Sequence, residues 1–186
     1  MAADVFARIL APRPPAFALV HRADGAGSTV LEVLIGDVST QDTLADVNLT
    51  EDARGGGRHE AMVLIPYRQI AERGFTTPVA DESPLVTLTI TEQATVAVPD
   101  ALPRLPNDPV ALTGGHFDVS DEDYADTVRR IVADEIGEGN GANFVLKRSY
   151  IADIEGYSPR SALSIFRALL QRESGAYWTF LLHTGS

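Results

Sequence analysis

Gly137-Glu138-Gly139-Asn140-Gly141 has the composition of a phosphate-binding loop. A phosphate cradle needs a strand, then the glycine-rich loop, then a helix start, so that free backbone N–H groups face the anion. Here a helical pattern precedes the glycines and a strand pattern follows, so they are read as a helix stop. The acidic run from Asp118 through Asp121, Glu122 and Asp123 to Asp126 offers carboxylates to a cation. Its spacing departs from the calcium-loop pattern, and it reads instead as a solvated first helical turn facing the positive end of the helix dipole. The histidines His21, His59, His116 and His183 stand far apart without zinc-ligand spacing and are read as surface or satisfied side chains. Cysteine is absent, which removes disulfides, thiolate metal sites and a cysteine nucleophile from this chain. With no Gly-x-Ser-x-Gly element, nucleophilic hydrolysis has no anchor either.

Lys147-Arg148 sits in an otherwise apolar strand-like run. Adjacent strand residues point to opposite faces. Either one cation faces an interior or cavity, or the strand lies at an edge and both reach outward; the residues leave both readings open.

The elements that must position these groups follow from local pattern. Residues 3–10 have helical spacing (Val5, Phe6, Ile9, Leu10) and stop at Pro12. Strand-like runs at 17–20 and 30–35 flank Asp24-Gly25-Ala26-Gly27, a hairpin-loop signal. Gly55-Gly56-Gly57 marks a surface loop, 61–65 is a third apolar run, and 85–91 alternates with β-branched residues. Residues 99–109 contain four prolines and read as an extended connector and boundary. Beyond it, Ser120 caps a helix carrying Tyr124, Val128, Ile131, Val132 and Ile136 on one face. Residues 143–151 read as a strand, Ser158-Pro159 opens a second helix, and 177–182 is a final strand. The order predicts an α+β fold, a mostly antiparallel sheet with packed helices, divided into segments 1–110 and 111–186.

The totals exclude other classes. Hydrophobic residues make up 45% and charged residues 22% of 186, a globular balance. A formal charge of −11 opposes binding to nucleic acid and to anionic membrane. No run reaches the ~20 apolar residues of a membrane span, and the amino terminus has no secretory h-region. A cytoplasmic location is the expectation.

Residues 121–184 resemble the opening of the chorismate-binding domain shared by anthranilate synthase, aminodeoxychorismate synthase and isochorismate synthase. The resemblance is carried by Tyr124, by Gly141-Ala142-Asn143-Phe144-Val145-Leu146-Lys147-Arg148, by Phe166-Arg167-Ala168-Leu169-Leu170 and by Ala176-Tyr177-Trp178-Thr179-Phe180. Ile65-Pro66-Tyr67-Arg68-Gln69-Ile70-Ala71-Glu72-Arg73-Gly74-Phe75, Ala133-Asp134-Glu135-Ile136-Gly137 and Glu155-Gly156-Tyr157-Ser158 are similar to the phenazine-pathway synthases that make 2-amino-2-desoxyisochorismate. The resemblance implies the front portion of the anthranilate synthase component I-like fold and a Mg²⁺-dependent reaction on chorismate. In that subgroup ammonia adds at C2, the C4 hydroxyl leaves and the enolpyruvyl side chain is kept. It implies a homodimer when complete, with ammonia supplied by a glutaminase domain or subunit; that domain uses a cysteine nucleophile, so it is not in this chain.

One residue role carries over. In water-using relatives the strand after the glycine turn bears a Lys that activates water, and Asn143 stands at that position here. An amide takes no proton near neutral pH, whereas ammonia needs positioning more than deprotonation. Asn143 is therefore expected to position the nucleophile. Tryptophan-regulated relatives carry Leu-Leu-Glu-Ser and Asn-Pro-Ser-Pro-Tyr-Met elements. The matching stretches here are Leu19-Val20-His21-Arg22 and Glu173-Ser174-Gly175-Ala176-Tyr177-Trp178, which puts a working tryptophan site in doubt. The family's acidic metal ligands and general-acid Glu lie beyond the final strand, so no metal ligand is expected in this chain and no turnover by it alone. Anthranilate synthase component I is the alternative within the family. A non-catalytic chain that binds a partner is the alternative outside it.

Overall fold

The computed structural model of the protein describes residues 2–22, 30–49, 58–77, 82–173, 175 and 177–185. In chain order they form α1 (Ala2–Ile9), β1 (Phe17–His21), β2 (Val30–Gln41), a 3₁₀ turn (Leu44–Asp46), β3 (Ala61–Leu64) and a longer 3₁₀ turn (Tyr67–Arg73). These are followed by β4 (Leu85–Ala97), α2 (Val98–Ala101), β5 (Leu112–Phe117), α3 (Asp121–Arg130), a π-helical turn (Ile131–Ile136), β6 (Tyr150–Ile154), α4 (Pro159–Arg172) and β7 (Thr179–His183). The expected α+β class is observed. The predicted hairpin loop at Asp24 to Gly27 and the Gly55-Gly56-Gly57 loop lie outside the described residues.

The chain divides into two compact units, one of residues 1–109 with 158–186, the other of residues 110–157. The first is built on a curled antiparallel sheet in the order β3-β4-β2-β1-β7. Phe17 pairs with Ile35 on one side and His183 on the other, so β1 is an interior strand although its partner β7 is distant in sequence. The curl has a local cause. The β2–β4 register passes from Ile35↔Glu92 to Gly36↔Ile90, leaving Thr91 as an extra residue. A Cβ on Gly36 would lie 2.1 Å from the Thr89 carbonyl oxygen, so only glycine permits this approach.

Alternation along the strands produces two apolar faces. Phe17, Leu19, Leu31, Val33 and Ile35 pack beneath Val5, Phe6 and Ile9 of α1, Ala101 and Leu105, and Leu163, Phe166 and Leu170 of α4. Each such large side chain contributes roughly 1.5–3 kcal/mol by leaving water. On the opposite face Ala18, Val20, Leu34 and Leu88 form a smaller cluster with Met62, Ile90 and Leu182. Helix α4 starts where its sequence demands: Ser158 caps it, its N–H donating to Ser161 Oγ at 3.2 Å, and Pro159 takes the first turn.

The proline-rich stretch 99–109 is more structured than an extended connector. Pro99 falls in the first turn of α2, where a missing N–H costs nothing, and Ala101 and Leu105 are buried. Asp108 then pairs with Arg160 at 3.0 Å, its N–H donates to Ser164 Oγ at 3.2 Å, and Arg167 donates to the Leu105 carbonyl at 3.0 Å.

In the second unit β5 and β6 form an antiparallel pair, Phe117 opposite Tyr150. The strand expected over 143–151 begins only at Tyr150, and residues 143–149 have no regular structure. A strand exists only through its ladder, and the β6 partners of β5 end at Tyr150.

Candidate functional site

The segment bearing Asn143 is delimited by α3 and β6. Ser120 Oγ accepts the Asp123 N–H at 3.0 Å, so the acidic first turn is capped as its sequence predicts. The helix then widens into the π turn and ends at the glycines. A Cβ on Gly137 would lie 2.4 Å from the Ala133 carbonyl oxygen, and Gly139 takes φ +80. The Asn140 N–H donates to the Glu135 carbonyl at 2.8 Å and its amide to the Glu135 carboxylate at 3.2 Å. These glycines stop a helix rather than present N–H groups to a phosphate. Asn143 itself is exposed in the irregular segment that follows.

The structure separates the two adjacent cations. Lys147 is exposed, whereas the Arg148 side chain is only 19% exposed. The Arg148 guanidinium lies 3.9 Å from the Phe117 ring centroid and 5.6 Å from that of Tyr124, donates to the Val119 carbonyl at 2.9 Å and pairs with Asp121. The stacking and the ion pair together tie the start of α3 to the approach of β6. Asp118 and Ser149 extend this seam, exchanging two hydrogen bonds of 2.9 Å each. The Ser149 backbone N–H holds the Asp118 carboxyl below its ordinary value, with nearby Lys147 a weaker contributor.

The acidic run is therefore occupied locally. Asp121 pairs with Arg148, Asp123 accepts from Ser120 and Asp126 pairs with Arg129. Among the described residues no group of three or more His, Asp or Glu could hold a metal ion.

The first unit contains a cavity of about 410 Å³, a size suited to a small molecule, lined in part by Val20, Leu34, Met62 and Phe180. Of its polar lining residues, Arg22 forms an ion pair with Glu32 of β2 at 2.9 Å, His59 reaches the same carboxylate at 3.0 Å, and Arg22 stacks over Trp178 at 5.1 Å. The end of β1 and the residue before β7, the two stretches that match the tryptophan-site elements of relatives, thus meet across this cavity. Glu32 and His59 were not singled out from the sequence as a pair. A lone carboxylate inside the apolar run from Val30 to Ile35 was the available signal, but nothing local links it to a histidine 27 residues away.

No family model matches the chain. Over 185 residues, the whole of this chain, it is 51% identical to a protein of Pseudomonas chlororaphis named anthranilate synthase, phenazine specific. It is 50% identical over the same span to the protein of that name from Pseudomonas fluorescens. The chain spans 29% of the length of each of these relatives. What the chain is similar to is the amino-terminal part of those enzymes.

Proposed function

We propose that this chain is the amino-terminal portion of a synthase that adds ammonia to C2 of chorismate. The C4 hydroxyl leaves as water, and the product, 2-amino-2-desoxyisochorismate, keeps its enolpyruvyl side chain for phenazine-type metabolism. The observation that carries the proposal is identity of 50–51% across the whole chain to two enzymes whose names join anthranilate synthase to phenazine. In this reading residues 1–110 are the amino-terminal segment, 111–186 begin the chorismate-binding domain, and Asn143 positions the nucleophile. Its amide can donate to or accept from ammonia, but cannot deprotonate water. Mg²⁺ would supply charge neutralisation of the substrate carboxylate from residues outside this chain. Ammonia would come from a glutaminase domain or subunit, and the complete enzyme would act as a homodimer in the cytoplasm. Among the described residues no helix is long and apolar enough to cross a membrane.

A chimera tests this: the chain replaces the matching 185 residues of the Pseudomonas chlororaphis enzyme and is given chorismate, Mg²⁺ and ammonium. The expected product is aminated and retains the enolpyruvyl group by mass. Release of pyruvate with anthranilate would favour anthranilate synthase component I instead.

A further inference from the structure

None of residues 110–157 is buried. Helix α3 and the π turn bury nothing, and β5 is exposed along its length. Ordering a backbone costs about 1–2 kcal/mol per residue, and burial of apolar side chains is the main term that offsets it. A two-stranded ladder with one helix and no interior lacks that term. Yet apolar side chains are present and patterned. Val128, Val132 and Ile136 recur four apart on one ridge, 37%, 54% and 40% exposed, and Val145 is 92% exposed. The segment around Phe144-Val145-Leu146 has strand-forming composition but no strand. Local preference and observed state conflict here, and what would reconcile them is a neighbouring strand and a covering apolar layer.

We infer that residues 110–157 are a docking surface for the remainder of the longer synthase. That polypeptide covers the Val128–Val132–Ile136 ridge, and residues 143–149 become a sheet strand by pairing with one of its strands. The occupant follows from length and charge. The relatives match this chain throughout, yet the match covers only 29% of them, so most of their polypeptide remains to do the covering. A second copy of this chain would bring a net charge of −11 against −11. The inference rests on the proposed function and deepens it, because Asn143 then acquires a fixed direction only when this strand pairs.

Hydrogen exchange read by mass spectrometry tests it on the 186-residue chain and on the chimera described above. In the chain alone, peptides from 110–157 should exchange about 100-fold faster than those from β1, β2 and β4, which report that the first unit is folded. In the chimera the same peptides should slow to the level of those strands. Val132→Asp with Val145→Asp should leave the melt of the chain alone unchanged but restore fast exchange in 110–157 of the chimera. Three results overturn the inference: protection of 110–157 in the chain alone, fast exchange in both proteins, or protection that appears in the chain alone as its concentration rises. Exchange requires no turnover. A chimera that protects 110–157 but leaves chorismate untouched therefore refutes the chemical proposal and not this one.

Discussion

The guanidinium of Arg22 lies over the indole of Trp178, 5.1 Å from the ring centroid, while its Nη2 reaches Glu32 at 2.9 Å. One contact joins the end of β1 to the entry of β7. The other places the neutralising carboxylate on β2.

Trp178 is the one tryptophan in the sequence, so its fluorescence reports this contact directly. Arg22→Ala should change the emission and lower stability by about 0.5–1 kcal/mol in denaturant melts. Millimolar L-tryptophan should leave the melting temperature of the chain unchanged, since its carboxylate would meet a guanidinium already paired with Glu32. A saturating ligand at 100 times its Kd would instead add about 2.7 kcal/mol. An upward shift with L-tryptophan would mean that the cavity binds it.

Asn143→Lys in the chimera tests the role assigned to the amide. A lysine desolvated at that position can take a proton from water, so isochorismate should appear beside the aminated product. If a folded, normally active variant forms only the aminated compound, the role assigned to Asn143 is wrong.

Among the described residues β7 pairs only with β1, and Thr179 to His183 includes no Lys, Arg, Asp, Glu or Pro to protect the outer edge. Phe180 is 60% exposed on it. The chain should therefore self-associate through this edge with rising concentration in light scattering, most strongly at high salt where its net charge of −11 is screened, and Phe180→Lys should reduce that association with little loss of stability. A monodisperse monomer at high concentration would remove the basis for this expectation.

His183, against the Phe17 ring at 5.3 Å between centroids, is held below the ordinary imidazole value of 6.5 by burial. Its neutral form is favoured in the folded chain, so its contribution is fully present above pH 6.5 and is lost as pH falls through the folded value. Melts between pH 7.5 and pH 5 should show stability falling toward acid, with a shallower fall in His183→Phe. Equal slopes in the two proteins would assign the acid sensitivity elsewhere.

Helix starts were legible because caps are local: Ser120 and Ser158-Pro159 each begin a helix where the sequence places them. The cores of β1, β2 and β4 were legible too, because β-branched and apolar runs favour a pleated, half-buried surface. Their lengths were not. β2 continues to Gln41 and β4 to Ala97 because each is the other's ladder partner, through polar residues that would not be read as strand alone. The choice between Lys147 and Arg148 was likewise open until Phe117 and Tyr124 were seen to flank one of them.

The sequence by itself determined the α+β class, the starts of α3 and α4 and, through runs of residues spread along the chain, the likeness to the phenazine-specific synthases. Each of these depends on residues near one another or on order alone. Only the tertiary structure decided that β7 lies beside β1, that Arg22, His59 and Trp178 line one cavity with Glu32 paired to the first two, and that residues 143–149 pair with no strand among the described residues. The physical reason is that a β-ladder and an ion pair are properties of two segments. Neither segment carries in its own residues the identity of the other.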